Sequence, residues 1–460
     1  MTAAPLAEEG VTPSKAGIFS REYRASTIGF ACVMFLEGFA ALALVTTLPV
    51  AVGQLDGLHV YALALGGFVT MSLFGSVLAG EIADKRGPRL LLILGLGLFL
   101  AGLLVAGTAT TMWQLIAGRC VQGFASSVVV VGLNVTIAQS YPSKLRPKAL
   151  SLMSTCWIVP SMIGPAIAGT VTELLSWRWV FFGLAILVSV ASLIPLGFLR
   201  RLSPVADDER ATPPGLVRAA AIVAVAAGIL HFGASGLDLT HLAFAAVGVV
   251  ALVISVPRLL PEGTLRAARG IPAAILLRGL SAGIYFTLES YIPLMLINQR
   301  QISVTVAGVS FTGATLLWAG AAWLQGHPWA EVPRHRLVLL GSVVIAGSSV
   351  IAIFGVFGFV PPLTASAALI VAGFGMGLVM PSLTVLAFDH CPPEDQGRYS
   401  AAMQVSQGLG SVVLIGAAGA LFNVGTAVEY PGALVYGVVF GFVTLVAVPA
   451  CLLALRSRVT

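Results

Sequence analysis

Fourteen long apolar stretches, separated by polar connections that are mostly short, leave this chain few ways to fold. They run near residues 25–52, 60–80, 89–108, 112–140, 147–172 and 178–199, then 215–233 and 239–258, then 272–297, 303–326, 336–357, 362–388, 398–423 and 432–455. About 20 apolar residues are what an α-helix needs to cross a bilayer, and in lipid a helix is the one segment that satisfies its own backbone donors and acceptors. The pattern therefore predicts an all-α membrane protein of fourteen transmembrane helices, arranged as two six-helix bundles with an inserted pair between them. A water-soluble fold fails on composition. Of 460 residues, 58% are hydrophobic and 10% charged, with a mean hydropathy of +0.97, too little polar surface to face water all round.

An even number of spans puts both termini on one side. Of the 25 Lys and Arg residues, Arg178 and Arg300 fall in loops on the opposite face and Arg119 and Arg278 inside spans; the rest share the face of the termini. The positive-inside bias makes that face cytoplasmic, as expected for a multi-pass protein of the cell membrane. The net charge of +6 is spread through loops and follows this topology, so no nucleic-acid partner is expected. Trp177 and Trp179, flanking Arg178, stand where aromatic anchors mark a lipid–water boundary. The expected divisions are a cytoplasmic tail (1–24), a first six-helix bundle (25–199), a linker (200–214) and the inserted pair (215–258). A second linker (259–271), a second bundle (272–455) and a short tail (456–460) follow.

Other chemistry is excluded by pattern. Cys32, Cys120, Cys156 and Cys451 lie in apolar runs and Cys391 in a polar loop, so neither a disulfide framework nor a thiol metal site is expected. His231 and His241 flank the outer end of the inserted pair and read as loop bystanders; His327, His335 and His390 form no ligand cluster. No phosphate-cradling glycine loop and no catalytic triad are present. No enzyme activity, metal or cofactor is therefore expected, and no ATP drive. The first residues lack the apolar core and cleavage site of a signal peptide.

Polar groups at membrane depth carry the functional argument, because such groups face the protein interior or a water path. Glu37 lies more than two helical turns from either end of the first span, and Glu289 likewise in the ninth. An ionised carboxylate there costs several kcal/mol unless solvated or paired. Desolvation favours the neutral form of a carboxyl, which is what a proton carrier needs. The alternatives are a static partner for Arg119, Arg278 or a hydroxyl, or a ligand for a cationic substrate. The surrounding strings repeat: Leu36-Glu37-Gly38-Phe39 resembles Leu288-Glu289-Ser290-Tyr291, and nearly the same spacing carries Gly164 and Gly169 onto Gly416 and Gly419. Duplicated halves place a substrate path at their seam, so both glutamates are expected there. Phe39, Trp157, Tyr285, Phe286 and Tyr291 can line an apolar pocket beside them, or serve as packing.

Three further patterns bear on mechanism. Gly80-Glu81-Ile82-Ala83-Asp84-Lys85-Arg86-Gly87-Pro88-Arg89 is a charged turn between two apolar runs. It can reach only the aqueous edge, where its charges can pair with helix ends in one conformation and part in another. Arg119 and Gln122 lie one helical turn apart on one face of the fourth span, followed by Gly123; the arginine can draw in an anion or tune an approaching carboxyl, or form a fixed ion pair. Gly164-Pro165-Ala166-Ile167-Ala168-Gly169 combines a proline with small residues that admit close helix contact.

The turn, with Gly80, Asp84, Arg86, Gly87 and Arg89, resembles the signature loop between the second and third helices of the major facilitator superfamily. Arg119-Cys120-Val121-Gln122-Gly123 resembles that family's fourth-helix motif, and Gly164-Pro165 through Gly169 the core of its antiporter motif, with Ala168 in place of a glycine. With the fourteen-span count, nearly the whole chain is similar to the drug:proton antiporter branch. Thr47-Leu48-Pro49 matches the end of that branch's first-helix motif, but the acid, Glu37, lies about one turn earlier. Gly326-His327-Pro328-Trp329-Ala330-Glu331 is a degraded counterpart of the signature loop. The resemblance implies a monomeric, proton-coupled exporter of small amphipathic or lipophilic compounds, working by alternating access with protons and the bilayer as partners. A lipid or glycolipid exporter, and a non-transporting membrane receptor or assembly factor, remain as alternatives.

Overall fold

Helices dominate because each apolar run must close its own backbone hydrogen bonds, and most are apolar on all sides because both lipid and protein interior accept such a surface. A computed structural model of the chain describes residues 17–21, 23–142, 145–193, 215–325, 332–392 and 396–457. Among these residues there are fourteen α-helices and no strand. The first six are α1 (Arg24–Gln54), α2 (Tyr61–Arg86), α3 (Pro88–Gly107), α4 (Met112–Ser140), α5 (Arg146–Leu174) and α6 (Trp177–Leu193). The inserted pair is α7 (Leu216–Gly233) and α8 (Leu239–Ser255). The last six are α9 (Ile271–Asn298), α10 (Val304–Leu324), α11 (Arg334–Gly355), α12 (Leu363–Asp389), α13 (Gln396–Ala427) and α14 (Gly432–Arg456). Among the described residues, eleven helices are long and apolar enough to cross a membrane; α6 and α7, with 17 and 18 residues, are apolar but shorter. The expected linker 200–214 and the string 326–331 lie outside the described residues.

The duplication shows in the packing. In each set of six, the third helix lies along the fourth, the first along the fifth, the second on the fourth, and the sixth against the third and first. Glycines set the closest approaches. A Cβ on Gly279 of α9 would stand 2.6 Å from the Ser406 carbonyl oxygen, and one on Gly410 of α13 2.0 Å from that of Gly279. Helices meet this closely where no side chain intervenes.

The two sets meet along α5–α10 and α2–α13. A Cβ on Gly169 would reach Thr305 Cα at 2.7 Å, one on Gly308 the Pro165 carbonyl at 2.6 Å, and one on Gly419 Ala62 Cβ at 2.4 Å. Thr312 Oγ1 donates to the Met162 carbonyl (2.7 Å) and Tyr61 Oη to the Ser290 carbonyl (2.8 Å). Each of these contacts lies in the half of the helices away from the ends where α1 begins and α14 finishes. The seam is thus closed on the face opposite the termini.

Two sequence expectations change. The charged turn is mostly helix: α2 runs through Arg86, α3 starts at Pro88, and the joint is Gly87 alone, at φ +75°. Glycine takes this left-handed region without a Cβ penalty, and Pro88 is preset for a first helical position. Trp177 is no interfacial anchor: it is fully buried, donates from Nε1 to Gln54 Oε1 (2.9 Å), and carries the Arg178 guanidinium over its ring at 4.3 Å. Trp179, 54% exposed, is placed as an anchor would be.

Candidate functional site

One face of α4 carries a polar ladder. Arg119, Gln122 and Ser126 follow one another at helical spacing, so their side chains share a side. Arg119 Nη1 donates to Gln122 Oε1 (2.8 Å), and Ser126 Oγ donates to Glu37 Oε2 of α1 (2.5 Å). All four residues are at most 8% exposed. Three atoms of the set have no hydrogen-bond partner among the described residues: Glu37 Oε1, Arg119 Nε and Gln122 Nε2. The Arg119 guanidinium lies over the Phe68 ring of α2, 4.4 Å from its centroid, a cation–π contact that partly replaces lost solvation.

Among the described residues the one Lys or Arg ion pair is Lys85–Glu81, and the one histidine–carboxylate contact is His241–Asp238, so neither Glu37 nor Glu289 is in either. The fixed ion pair that the sequence left open for Arg119 is not formed among the described residues; Glu37 meets a hydroxyl, the other alternative. Glu37 and Arg119 are thus both buried without a partner of opposite charge among the described residues, and because an uncompensated buried charge is costly, a proton, a substrate or a conformational change that relieves it is favoured. Ser126 was absent from the sequence expectation; its place seven residues after Arg119 is the signal that would have found it.

The two glutamates do not stand alike. α1 packs chiefly along α5 and α6, which turns residue 37 into the first bundle. A narrow apolar void beside Glu37 is walled by Val33, Leu36, Leu96, Phe99, Val188 and Ala191. Glu37 therefore lies inside its own bundle, not at the seam where the duplication had put it. Glu289, 7% exposed, is hydrogen-bonded to Tyr285 one turn earlier and adjoins the seam through its neighbour Ser290, whose carbonyl accepts from Tyr61. Arg278 is dressed by neutral groups, Thr384 Oγ1 at 2.8 Å and Gln407 Oε1 at 3.2 Å among them, and bridges α9 to α12 and α13.

The other candidates are distributed by role. Gly164 packs on the Phe39 ring of α1, a Cβ there lying 3.4 Å from Cδ2, while Gly169 faces Thr305 of α10. One helix, α5, thus joins the first bundle to the second through the Gly164–Gly169 segment, and Pro165 between them leaves the Ser161 carbonyl without its helical donor. Tyr285 is buried edge-on to Trp318 (5.2 Å between centroids) and Tyr291 edge-on to Tyr61 (5.8 Å). The side chains of Trp157 and Asp84 lie outside the described ones. Gly80 has open space around it, and Arg86 and Arg89 are exposed at the aqueous edge of α2 and α3.

A seam contact that the sequence did not announce closes the far end of α5. Glu173, just past the fifth span, accepts from Thr305 N (2.9 Å) and Thr305 Oγ1 (2.8 Å) at the start of α10. A carboxylate suits a helix N-terminus, where N–H groups lack helical partners. Partial burial works against ionisation of Glu173, but hydrogen bonds from Thr305, Val304 and Ser303 outweigh it and hold the carboxyl below its usual range. A depressed carboxylate contributes stability that is fully present above its unfolded value, about 4.3, and is lost as pH falls through the lower folded value. Glu173→Gln should therefore loosen this end of the seam at neutral pH as strong acid does in the parent. Faster amide exchange over residues 303–308 in the variant at pH 7 would register it.

A sequence profile described as Major Facilitator Superfamily matches residues 30–415. Relatives include the "Multidrug transporter protein MdtP" of Bacillus subtilis (strain 168), 23% identical over 86% of this chain and 74% of that protein. The "Probable multidrug-efflux transporter Rv1634" of Mycobacterium tuberculosis (strain ATCC 25618 / H37Rv) is 28% identical over 82% of this chain and 83% of its own length. Among solved structures, a peptide transporter POT in complex with sulfate superposes with a TM-score of 0.71 at 14% identity, covering 96% of this chain and 95% of that one, a likeness of fold. With six helices packed twice in the same order and a family match over most of its length, the chain belongs to the Major Facilitator Superfamily.

Proposed function

We propose that this protein is a proton-coupled secondary transporter that exports small amphipathic or lipophilic compounds by alternating access. The observation that carries the coupling is Glu37: a buried mid-helix carboxyl with one oxygen on a serine hydroxyl, the other unpartnered, and no cation paired to it. Such a group has no structural ion pair to maintain, so its proton can come and go with access to water. Multidrug efflux enters from the names of the relatives, which are transporters of that kind.

In this scheme Glu37 and Glu289 carry protons or meet a cationic substrate. Arg119, positioned by Gln122, supplies the fixed positive charge that favours proton release when it approaches the carboxyl. Gly164, Pro165 and Gly169 form the flexing contact between bundles. Asp84, Arg86 and Arg89, about Gly80 and Gly87, latch the face of the termini. That face is cytoplasmic in a cell membrane, the protein works as a monomer without cofactor or enzyme activity, and the divisions at 24, 199, 214, 258, 271 and 455 bound the tails, bundles, linkers and inserted pair.

The test is reconstitution of the full chain in proteoliposomes under an imposed pH gradient, with lipophilic cationic dyes as substrates. Dye should move against its own gradient as protons move the other way, and an uncoupler should abolish the accumulation. Competition by acyl lipids but not by compact dyes would replace this substrate class with a lipid. No substrate-dependent proton flux with any compound would end the transporter reading.

A further inference from the structure

The outer end of α7 reaches into the seam between the two bundles. His231, expected from sequence to be a loop bystander, lies within α7 and is 2% exposed. Its ring stands in a notch floored by glycine on both sides: an added Cβ would be 2.3 Å from Nε2 at Gly66 of α2 and 3.1 Å from it at Gly416 of α13. One imidazole therefore touches both bundles from a helix that belongs to neither. Nearby, Asn423 Nδ2 of α13 donates to the His59 carbonyl ahead of α2 (2.8 Å) and to the Ala234 carbonyl beyond α7 (2.9 Å), tying the same three elements.

The hydrogen bonds fix what the ring can do. Nδ1 lies 2.8 Å from the Ala227 carbonyl, which only accepts, so this bond assigns the hydrogen of the neutral ring to Nδ1 and leaves Nε2 with a lone pair. Nε2 has no hydrogen-bond partner among the described residues. Around it, α2 offers Tyr61 as its one titratable group before Gly80, α13 offers none from residue 400 to 427, and α8 offers His241. Cys120 of α4 reaches the adjoining Gly67; Arg218 of α7 and Arg258 after α8 stand at the other end of the pair. Asp238, exposed in the connecting loop, is hydrogen-bonded to His241 and Thr240. The acidic residues of α2, Glu81 and Asp84, stand at its far end, and Glu289 of α9 adjoins Tyr61 through Ser290, one helix removed from α7. A second proton on Nε2 would create a charged donor with no acceptor, tolerable only if α2 and α13 part and admit water.

We propose that His231, wedged between Gly66 of α2 and Gly416 of α13, is a proton-sensitive latch through which the inserted helix pair holds the seam shut on the face opposite the termini. Neutral, it fills the notch; protonated, it drives the notch open. The idea rests on the transporter reading, in which that face meets the proton-rich side, so an arriving proton opens the door through which substrate leaves.

Hydrogen–deuterium exchange of the reconstituted full chain at pH 6 and pH 8, with intrinsic rates corrected, tests this directly. Segments 57–66 and 416–426 should exchange several-fold faster at pH 6, and His231→Gln should remove that pH step. Gly66→Ala, whose Cβ meets Nε2, should expose both segments at either pH, and Gly66→Ala/His231→Ala should protect them again at either pH because the clash is gone. A pH step that survives in His231→Gln, or is missing from the parent protein, overturns the latch. Gradient-driven dye uptake, measured on the same vesicles, separates the two ideas: a pH step without uptake keeps the latch and removes the transporter, whereas uptake without a pH step does the reverse.

Discussion

Glu37→Gln should leave the protein folded and able to exchange dye across the vesicle, yet unable to accumulate it from a pH gradient. Glutamine keeps the size of the side chain and an oxygen to accept from Ser126 Oγ, so the α1–α4 contact survives. It removes the group that binds and releases a proton. One pH unit supplies about 1.4 kcal/mol per proton moved, an accumulation of about tenfold at equilibrium for one proton per substrate. The variant should lose all of that and settle at equal concentrations, a loss of about tenfold per pH unit. Glu289→Gln completes the experiment: coupling lost at only one of the two assigns the carrier. Full accumulation in both variants would end the proposal of glutamate coupling and leave the fold untouched.

Gly123→Ala should be among the most damaging single-methyl changes in the chain. An alanine Cβ would lie 2.1 Å from the Phe68 carbonyl oxygen and 2.8 Å from both its carbonyl carbon and Cα, so α2 and α4 must separate along their length. Overpacking of this kind costs about 1–3 kcal/mol, and here the obstacle is backbone, which has the least freedom to yield. Because Arg119 stacks on the ring of the same Phe68, the shift also displaces the polar ladder. Gly80→Ala is the control: nothing lies within 4 Å of its Cβ, and a helical alanine is about 1 kcal/mol better than glycine. Thermal unfolding in detergent should show a large drop for the first and none for the second, with transport falling in step with the first. Equal melting temperatures would show that the helices separate without penalty.

The fold was legible because the bilayer imposes a length rule that needs no partner, and the duplication of the six-helix unit because Glu37 and Glu289 sit in matching strings. The site was legible only in its ionisable members. Mid-span placement picked out Glu37, Arg119 and Glu289, but which way each turns depends on how a whole helix is rotated against its neighbours. Residue 37 consequently faced α4 and the inner void when duplication had pointed to the seam. Ser126, Asn423 and Thr305 were missed for another reason: small uncharged polar residues are common in such helices, and their meaning comes from the partner opposite. His231 was misjudged although α7 ends at Gly233, as the apolar run 215–233 had placed it: the sequence does not tell which side of the last turn meets α2 and α13. The charged turn was misjudged likewise, as helix continued through it to Gly87.

That single-residue joint makes a lever of α2. A straight helix of 26 residues, about 39 Å long at 1.5 Å per residue, carries Tyr61 at one end and Arg86 at the other. Pivoting it about 5° at Tyr61 sweeps Arg86 through about 3 Å, with only one glycine to absorb the swing before α3 must follow. A small yielding beside His231 would therefore be felt, magnified, among the charges at the far rim, and the two doors would then move as the two ends of one rod.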